Sequence, residues 1–530
     1  MIDDGTMDLV IGSGPAGIAA AHALLQHGRA VTMLDTGIEM EPGAAALRRE
    51  AGLLLDSGGS LHPIRDRLAA MGRTHSDSLP VKSIFGSDFP SRGVDGCAPI
   101  EGDESVDVLM SYARGGLSNI WGANVLPFSR AELASWPVPH AAMERAYRAV
   151  TKLIPLSAER DPAMEAHLPL YTDRTEPRHL SRQAKGMLAA WRKHHTAHTR
   201  EGITVGASRI GVASRGCVKC GMCLDGCPRE LIYSSAQTLD RLRLHPKFHY
   251  RPGVYARHYV DGPDRVRVTA DVMGSGEQIH FTGGRLFAGC GALSSTRLVM
   301  ASARRFNEPV RLHDSCYFLQ PWLRVRGTGH VETEALQTLS QLCLRLDEAT
   351  ETPVHALIYT YNDFLRRRVH ETLLRGWPRL AGVLLDRIVV VQGYLHSKQS
   401  PGLELRIAGP SNTRPAGAIL VRAVPNPGTQ AALWRARTTL RRLARQAGAI
   451  PVPGALVVGR PGKGYHFGGG FPMRQRPGDM ETDTLGRPFG ASRVHLIDAS
   501  CFPAVPATNL TLTIMANAYR IASESREANA

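Results

Sequence analysis

Four cysteines, Cys217, Cys220, Cys223 and Cys227, fall within eleven residues and run into Pro228. The C-x2-C-x2-C-x3-C-P spacing is that of bacterial ferredoxins, where short spacers let thiolates wrap one iron–sulfur cubane while backbone N–H groups turn toward its sulfurs. Gly221 and Gly226 suit so tight a loop. Zinc is the competing metal, but zinc cysteines usually come as two pairs across a longer span, and no second pair follows here. In two-cluster ferredoxins the cysteine before proline serves the other cluster. Three arrangements therefore stay open: Cys227 closes a local [4Fe-4S] cluster, a remote cysteine such as Cys290 or Cys316 does so, or three thiolates hold a [3Fe-4S] cluster.

A second signal lies at the other end of the first 250 residues. The apolar run Asp8–Ile11 leads into Gly12-Ser13-Gly14-Pro15-Ala16-Gly17, a helical pattern to Gly28, and a second strand, Ala30–Leu34, that ends at Asp35. This is the full strand–helix–strand context of a dinucleotide fingerprint. Gly12 permits the tight turn, Gly14 lets backbone approach a pyrophosphate, and Gly17 allows close helix–strand packing. Pro15 and Ala16 open the helix whose N–H groups and dipole meet the phosphates. Asp35, 18 residues past Gly17, is placed for the ribose hydroxyls. The fingerprint alone leaves FAD and NAD both open.

Three further segments choose between them. Ala113-Arg114-Gly115-Gly116-Leu117-Ser118-Asn119-Ile120-Trp121-Gly122-Ala123, Phe287-Ala288-Gly289-Cys290-Gly291-Ala292-Leu293-Ser294-Ser295, and the run from His495 to Ala522 resemble, in order and spacing, the glucose–methanol–choline (GMC) oxidoreductases. The nearest likeness is to the branch of FAD-dependent sugar and alcohol dehydrogenases that carries an iron–sulfur cluster. The resemblance implies FAD. Gly116, Ser118, Asn119 and Gly122 would lie along the flavin ring, Asp498 near the ribityl or phosphate portion, and Val254 and Thr511 among the other cofactor contacts. In some relatives a His just before the Trp bonds covalently to the flavin. Here that residue is Ile120, so the FAD is expected to be non-covalent.

The run from Tyr465 to Met473 resembles the family's H-x-x-G-T-x-x-M element, with Gly470 where Thr is usual. The resemblance makes His466 the base for the substrate hydroxyl and Asn509 its partner. An imidazole suits that task near neutral pH, and an amide orients an oxygen without titrating. A helix beginning at Thr511 would point its positive end at the reduced ring. The implied reaction is dehydrogenation of an alcohol group on a sugar, polyol or similar molecule. An oxidase with a structural metal is the alternative. An oxidisable cluster serves one-electron exit to an acceptor such as a cytochrome, ferredoxin or quinone-linked protein, which favours the dehydrogenase.

The elements that must position these residues read as an α/β chain. A discontinuous Rossmann-like FAD-binding domain is expected from 1–43, 105–135, 205–305 and 455–530, with the cysteine loop at 215–230. An α+β substrate domain is expected from 136–204 and 306–454. Its six-stranded antiparallel sheet would comprise Tyr317–Val325, Leu339–Leu346, Val354–Tyr361, Ile388–His396, Leu403–Ile407 and Ile419–Val424, with helices near Phe364–Leu385 and Gln430–Gln446. Residues 44–104 read as a lid or partner-facing insertion. The formal charge is +15, but the basic residues are scattered among acidic ones without a long block, which argues against nucleic-acid binding. No stretch reaches the roughly 18 to 20 apolar residues of a transmembrane helix, and no signal sequence is evident. A cytoplasmic location is therefore expected, with export or membrane association conceivable through a partner subunit.

Overall fold

A computed structural model describes residues 7–71, 82–347, 352–412, 414 and 416–525. Part of the expected lid, 72–81, and the outermost residues of both terminal FAD segments therefore lie outside the described residues, as do 348–351, 413 and 415 of the expected substrate domain.

A five-stranded parallel sheet forms the nucleotide half. Its order is Val494–Leu496, Arg285–Ala288, Met7–Ile11, Ala30–Leu34, Phe248–Arg251. Met7–Ile11 sits in the middle and is buried along its whole length, the continuous apolar run of a strand covered on both faces. Helix Pro15–Gln26 follows it and packs against helix Thr511–Glu524. Gly17 sits in that helix under the turn that precedes it, where a Cβ would stand 1.8 Å from the Gly12 carbonyl oxygen. A three-stranded antiparallel sheet (Val254–Asp261, Val266–Val272, Gln278–Gly283) is inserted beside it.

The other half is a seven-stranded antiparallel sheet. Six strands form its path: Ala449–Pro451, Tyr317–Arg324, Ile388–Tyr394, Val354–Tyr359, Leu342–Leu346, Ile203–Ala207. Val457–Val458 pairs with Tyr317–Arg324 as well. Helices Arg182–Arg192 and Thr429–Gln446 cover one face, packing Trp191, Leu440 and Leu443 onto Phe318, Trp322, Ala356, Ile358, Val389 and Val391. The alternate residues of the same strands, Tyr317, Leu319, Leu357, Tyr359, Val390 and Gln392, therefore face the opposite way, into a cavity.

Two expected strands, near Leu403–Ile407 and Ile419–Val424, belong to a different sheet. They pair with each other, with Val310–Asp314, and, in parallel, with Ile100–Gly102 from the insertion. The expected helix over Phe364–Leu385 is broken. Asp363–Arg367 is α-helical, Arg368–Leu373 widens to a π-helix, and a new helix runs from Pro378 to Leu385. Gly376, at φ +84°, and Pro378, which disfavours helix at the preceding residue, explain the break.

The described part of the 44–104 insertion packs on the cysteine loop. Helices Pro42–Asp56 and His62–Ala70 join Phe85, Met222 and Ile120 in one apolar cluster. Arg65 donates to the Cys220 carbonyl at 2.6 Å and pairs with Asp363, while the Phe85 amide donates to the Asp225 carbonyl.

Candidate active site

A cavity of about 820 Å³ runs between the parallel sheet and the open face of the antiparallel one. Its floor is the nucleotide end. Gly12, Ser13, Gly14, Pro15, Ala16 and Asp35 line it, and nothing lies within 4 Å of where a Gly14 Cβ would point. A side chain at Gly12, φ +93°, would meet the Gly289 carbonyl oxygen at 2.7 Å, so this turn accepts glycine alone. A Cβ on Gly116 would come within 3.3 Å of the Gly14 Cα, so the two glycine turns face each other with room only for backbone. Asp35 is buried, accepts hydrogen bonds from Ser13 and from Tyr250 (2.9 Å), and is pushed up to about 6 by loss of water. This narrow cleft, glycine-walled and opening onto a helix N-terminus, can hold a dinucleotide.

Gly116, Ser118, Gly122, Val254, Asp498 and Thr511 line the same cavity. Two sequence-predicted residues do not. Gly17 is consumed by packing under the turn, as described above. Asn119 braces the 113–123 loop from behind, donating from Nδ2 to the Arg114 and Gly116 carbonyls and accepting from Ser234. Asp498 reaches the cavity with its oxygens already engaged. It accepts from the Gly291 amide at 2.8 Å, the Ser295 hydroxyl at 2.5 Å and the Ser500 amide at 2.9 Å, which ties the C-terminal run to the Gly289–Ser295 turn.

His466 and Asn509 come together from segments 43 residues apart, with Asn509 Nδ2 3.5 Å from His466 Nε2. The element carrying His466 is pinned on both sides. Phe467–Gly468 pairs with His313 and Asp314, the Ser315 amide donates to the His466 carbonyl, and Gly469, Phe471 and Met473 donate along residues 499–501. Gly470 is required by its neighbour, since a Cβ there would lie 2.5 Å from Thr296 Oγ1. Asn509 is held through Thr508, whose hydroxyl donates to Glu132 at 2.9 Å. Glu132 in turn accepts from Ser129 and pairs with Arg345 at 3.0 Å, both side chains almost wholly buried.

The His466 ring stacks on Tyr394 at 4.5 Å between centroids. Burial first, and the nearby His355 second, lower it to about 3, so the imidazole is neutral. His466 Nδ1, Asn509 Oδ1 and the Tyr465 hydroxyl are buried with no hydrogen-bond partner. Buried polar atoms normally have a hydrogen-bond partner, so a water or a ligand would complete these. Tyr394, Tyr465 and Gln392 are wall residues that the sequence reading did not single out. Only the register of the antiparallel sheet reveals which alternate residues of strand Ile388–Tyr394 face His466.

The cysteine loop abuts this cavity, for Leu224, between Cys223 and Cys227, is part of its wall, as is Ile120. Positive φ at Lys219, Gly221, Gly226 and Glu230 turns the loop tightly at four points. The Lys219 amide donates to Cys217 Sγ and the Leu231 amide to Cys227 Sγ, each at 3.3 Å. Burial pushes the Cys223 thiol up to about 12 and raises Cys220 and Cys227. Repulsion between Cys227 and both Cys220 and Cys223 adds to this. Among the described residues, however, no three His, Cys, Asp or Glu side chains are gathered tightly enough to hold a metal ion, these four included. No helix among them is long and apolar enough to cross a membrane.

Residues 430–518, which carry His466, Asp498, Asn509 and Thr511, match the family model of the GMC oxidoreductase C-terminal region. The whole fold is similar to the crystal structure of pyridoxine 4-oxidase from Mesorbium loti. The TM-score is 0.61 at 13% sequence identity, over 98% of this chain and 99% of that one. No curated protein matches the sequence. The family match thus covers residues 430–518 alone, and the likeness over the whole chain is one of fold.

Proposed function

We propose that the chain is a dehydrogenase that oxidises an alcohol group to a carbonyl and passes the electrons to an external acceptor through an iron–sulfur cluster at Cys217, Cys220, Cys223 and Cys227. Bound FAD would supply the acceptor for the hydride. The observation that carries the reading is the pair of unpartnered buried atoms, His466 Nδ1 and Asn509 Oδ1, on neighbouring side chains in a cavity shared with the glycine turns.

His466 takes the hydroxyl proton on a ring nitrogen while Asn509 hydrogen-bonds the same oxygen and aims its carbon at the cofactor side of the cavity. Thr511 starts a helix of 14 residues whose unsatisfied N–H groups face that side and favour negative charge there. Gly12, Gly14, Pro15 and Ala16 take the pyrophosphate and Asp35 the ribose. Gly116, Ser118, Gly122, Val254, Asp498 and Thr511 hold the remainder non-covalently, with Gly17 and Asn119 acting as braces. At the cysteine loop a cluster would supply one-electron exit. Its thiolates each bind a different iron and so stand farther apart than around a single ion. Amides aimed at Cys217 and Cys227, and the contribution of Leu224 to the cavity wall, support placing it there. The redox partner is then a cytochrome, ferredoxin or quinone-linked protein met in the cytoplasm.

A second reading, an oxidase that passes electrons to oxygen, is favoured by the likeness to pyridoxine 4-oxidase and by the ungathered thiols. Anaerobic purification with flavin, iron and sulfide analysis separates the two. Iron and sulfide at roughly three or four per FAD, with alcohol oxidation coupled to one-electron dyes, is the expected result. FAD without iron, and peroxide formed from alcohol in air, would give the oxidase.

A further inference from the structure

The broken helical segment after Asp363 has two opposed faces. Inward, Phe364, Leu365 and Leu373 form part of the cavity wall. Outward, Leu373 (58% exposed), Trp377 (64%), Leu380 (51%) and Val383 (50%) stand in solvent, four of the large exposed apolar side chains within eleven residues. Trp377, Leu380 and Val383 are spaced three apart and share one edge of helix Pro378–Leu385, while Ala381 and Leu385 fix its other side in the core. The exposed arginines Arg368, Arg375 and Arg379 flank them. From 366 to 387 the sequence holds six Arg against Glu371 and Asp386. A tryptophan with leucines on one edge and arginines around it is the pattern of a helix that lies in a membrane interface and meets anionic headgroups.

Leu373 joins the two faces, being both cavity wall and more than half exposed, so the cavity opens beside this edge. The wall it leads to, away from the nucleotide end, sets Leu319, Pro321, Leu357, Ile388, Val390 and Val457 among Tyr359, Asn362, Arg368 and Gln392. The six apolar residues outnumber the four polar ones, so most hydroxyls of a sugar or polyol would meet carbon, at a cost for each left unpaired. A bulky hydrocarbon would find the apolar six complementary.

We propose that the face carrying Trp377, Leu380 and Val383 seats on an anionic lipid surface, and that the substrate is a bulky apolar alcohol drawn from that layer past Leu373. The substrate half rests on the alcohol-oxidising reading above; the docking half does not.

The test is co-sedimentation of the FAD-loaded protein with vesicles of phosphatidylcholine, with and without phosphatidylglycerol. Binding is expected with phosphatidylglycerol, weakening as salt rises, and falling about tenfold or more in a Leu380→Glu/Val383→Glu variant that keeps its FAD. An Arg375→Glu/Arg379→Glu variant should lose the preference for phosphatidylglycerol. Protein that stays in the supernatant, or a Leu380→Glu/Val383→Glu variant that binds like the parent, overturns the docking. So does a lipid-free dimer that this variant dissociates, since the face would then belong to a second copy. Flavin bleaching by a long-chain or polycyclic alcohol carried in the vesicles, faster than by glycerol or glucose, supports the substrate class, and the reverse order overturns it. Lipid binding with no bleaching by any alcohol would leave the docking standing and sink the alcohol-oxidising reading.

Discussion

Replacing His466 by alanine should abolish proton acceptance while leaving the cofactor cleft intact. The ring touches Tyr394 and Asn509 and belongs to none of the glycine turns, so FAD content should match the parent's. A positioned base contributes about 10² to 10⁴ in rate, or about 3 to 5 kcal/mol of barrier, and anaerobic flavin bleaching by alcohol should slow by that factor. The pH dependence sharpens the test. Burial, helped by His355, holds His466 to about 3. The parent's rate should therefore show no acid limb at the ordinary imidazole value of about 6.5. The variant must give its proton to solvent and should quicken steadily as pH rises. Stability carries a linked signature. Because the folded pKa is depressed, an unfolded chain takes a proton at His466 below about pH 6.5 that the folded chain refuses until about 3. Parent stability thus falls as pH drops through that window, by at most roughly 5 kcal/mol from this residue. His355, His396 and His495, each lowered to about 4 chiefly by burial, act in the same direction. Denaturant unfolding at pH 7 and pH 5 should show the variant losing less stability than the parent. An FAD-loaded His466→Ala protein that turns over within about threefold of the parent would refute the assignment.

Glu132→Ala should leave the buried Arg345 with Asp347 as its remaining carboxylate and cost about 1.5 to 3 kcal/mol in chemical unfolding. It should also slow turnover by releasing Thr508, the residue before Asn509. Gly470→Thr, which installs the residue usual in relatives, should destabilise by about 1 to 3 kcal/mol through its clash with Thr296. Adding Thr296→Ala should recover part of that loss in thermal melts. Cys220→Ser should lower bound iron while FAD stays stoichiometric by absorbance. Unchanged iron would move the cluster away from this loop.

The dinucleotide turn was legible because it is local. The two strands, the turn and the helix lie within about thirty residues, and Gly12 and Gly17 answer contacts made against Gly289 and inside that unit. The cysteine spacing is equally local, yet among the described residues its sulfurs are not gathered into a metal-binding group. What could not be read is what long-range pairing decides. Ala418–Val424 has the alternation of any half-buried strand, and nothing in it says that its partner is Ile100–Gly102 rather than the sheet with Trp322. Tyr394 and Gln392 were missed because facing His466 is a property of register, not of residue type. The break in the 364–385 helix was within reach, since Gly376 and Pro378 are both signals that end helices. The hold of Arg65 and Phe85 on the cysteine loop was not, because 155 residues separate Arg65 from Cys220.

The strand order of the parallel sheet has a consequence for biosynthesis. Met7–Ile11 leaves the ribosome early, yet one side of it waits for Arg285–Ala288, which in turn waits for Val494–Leu496, and helix Pro15–Gln26 waits for Thr511–Glu524. Pairings so distant in sequence close slowly. Until residues 494–524 are made, the nascent chain exposes apolar surfaces meant for partners not yet translated, a state prone to aggregation and suited to chaperone capture. A message truncated just short of residue 494 would therefore yield a chain that carries its glycine fingerprint and both halves of the cysteine motif but cannot complete the floor on which the nucleotide rests.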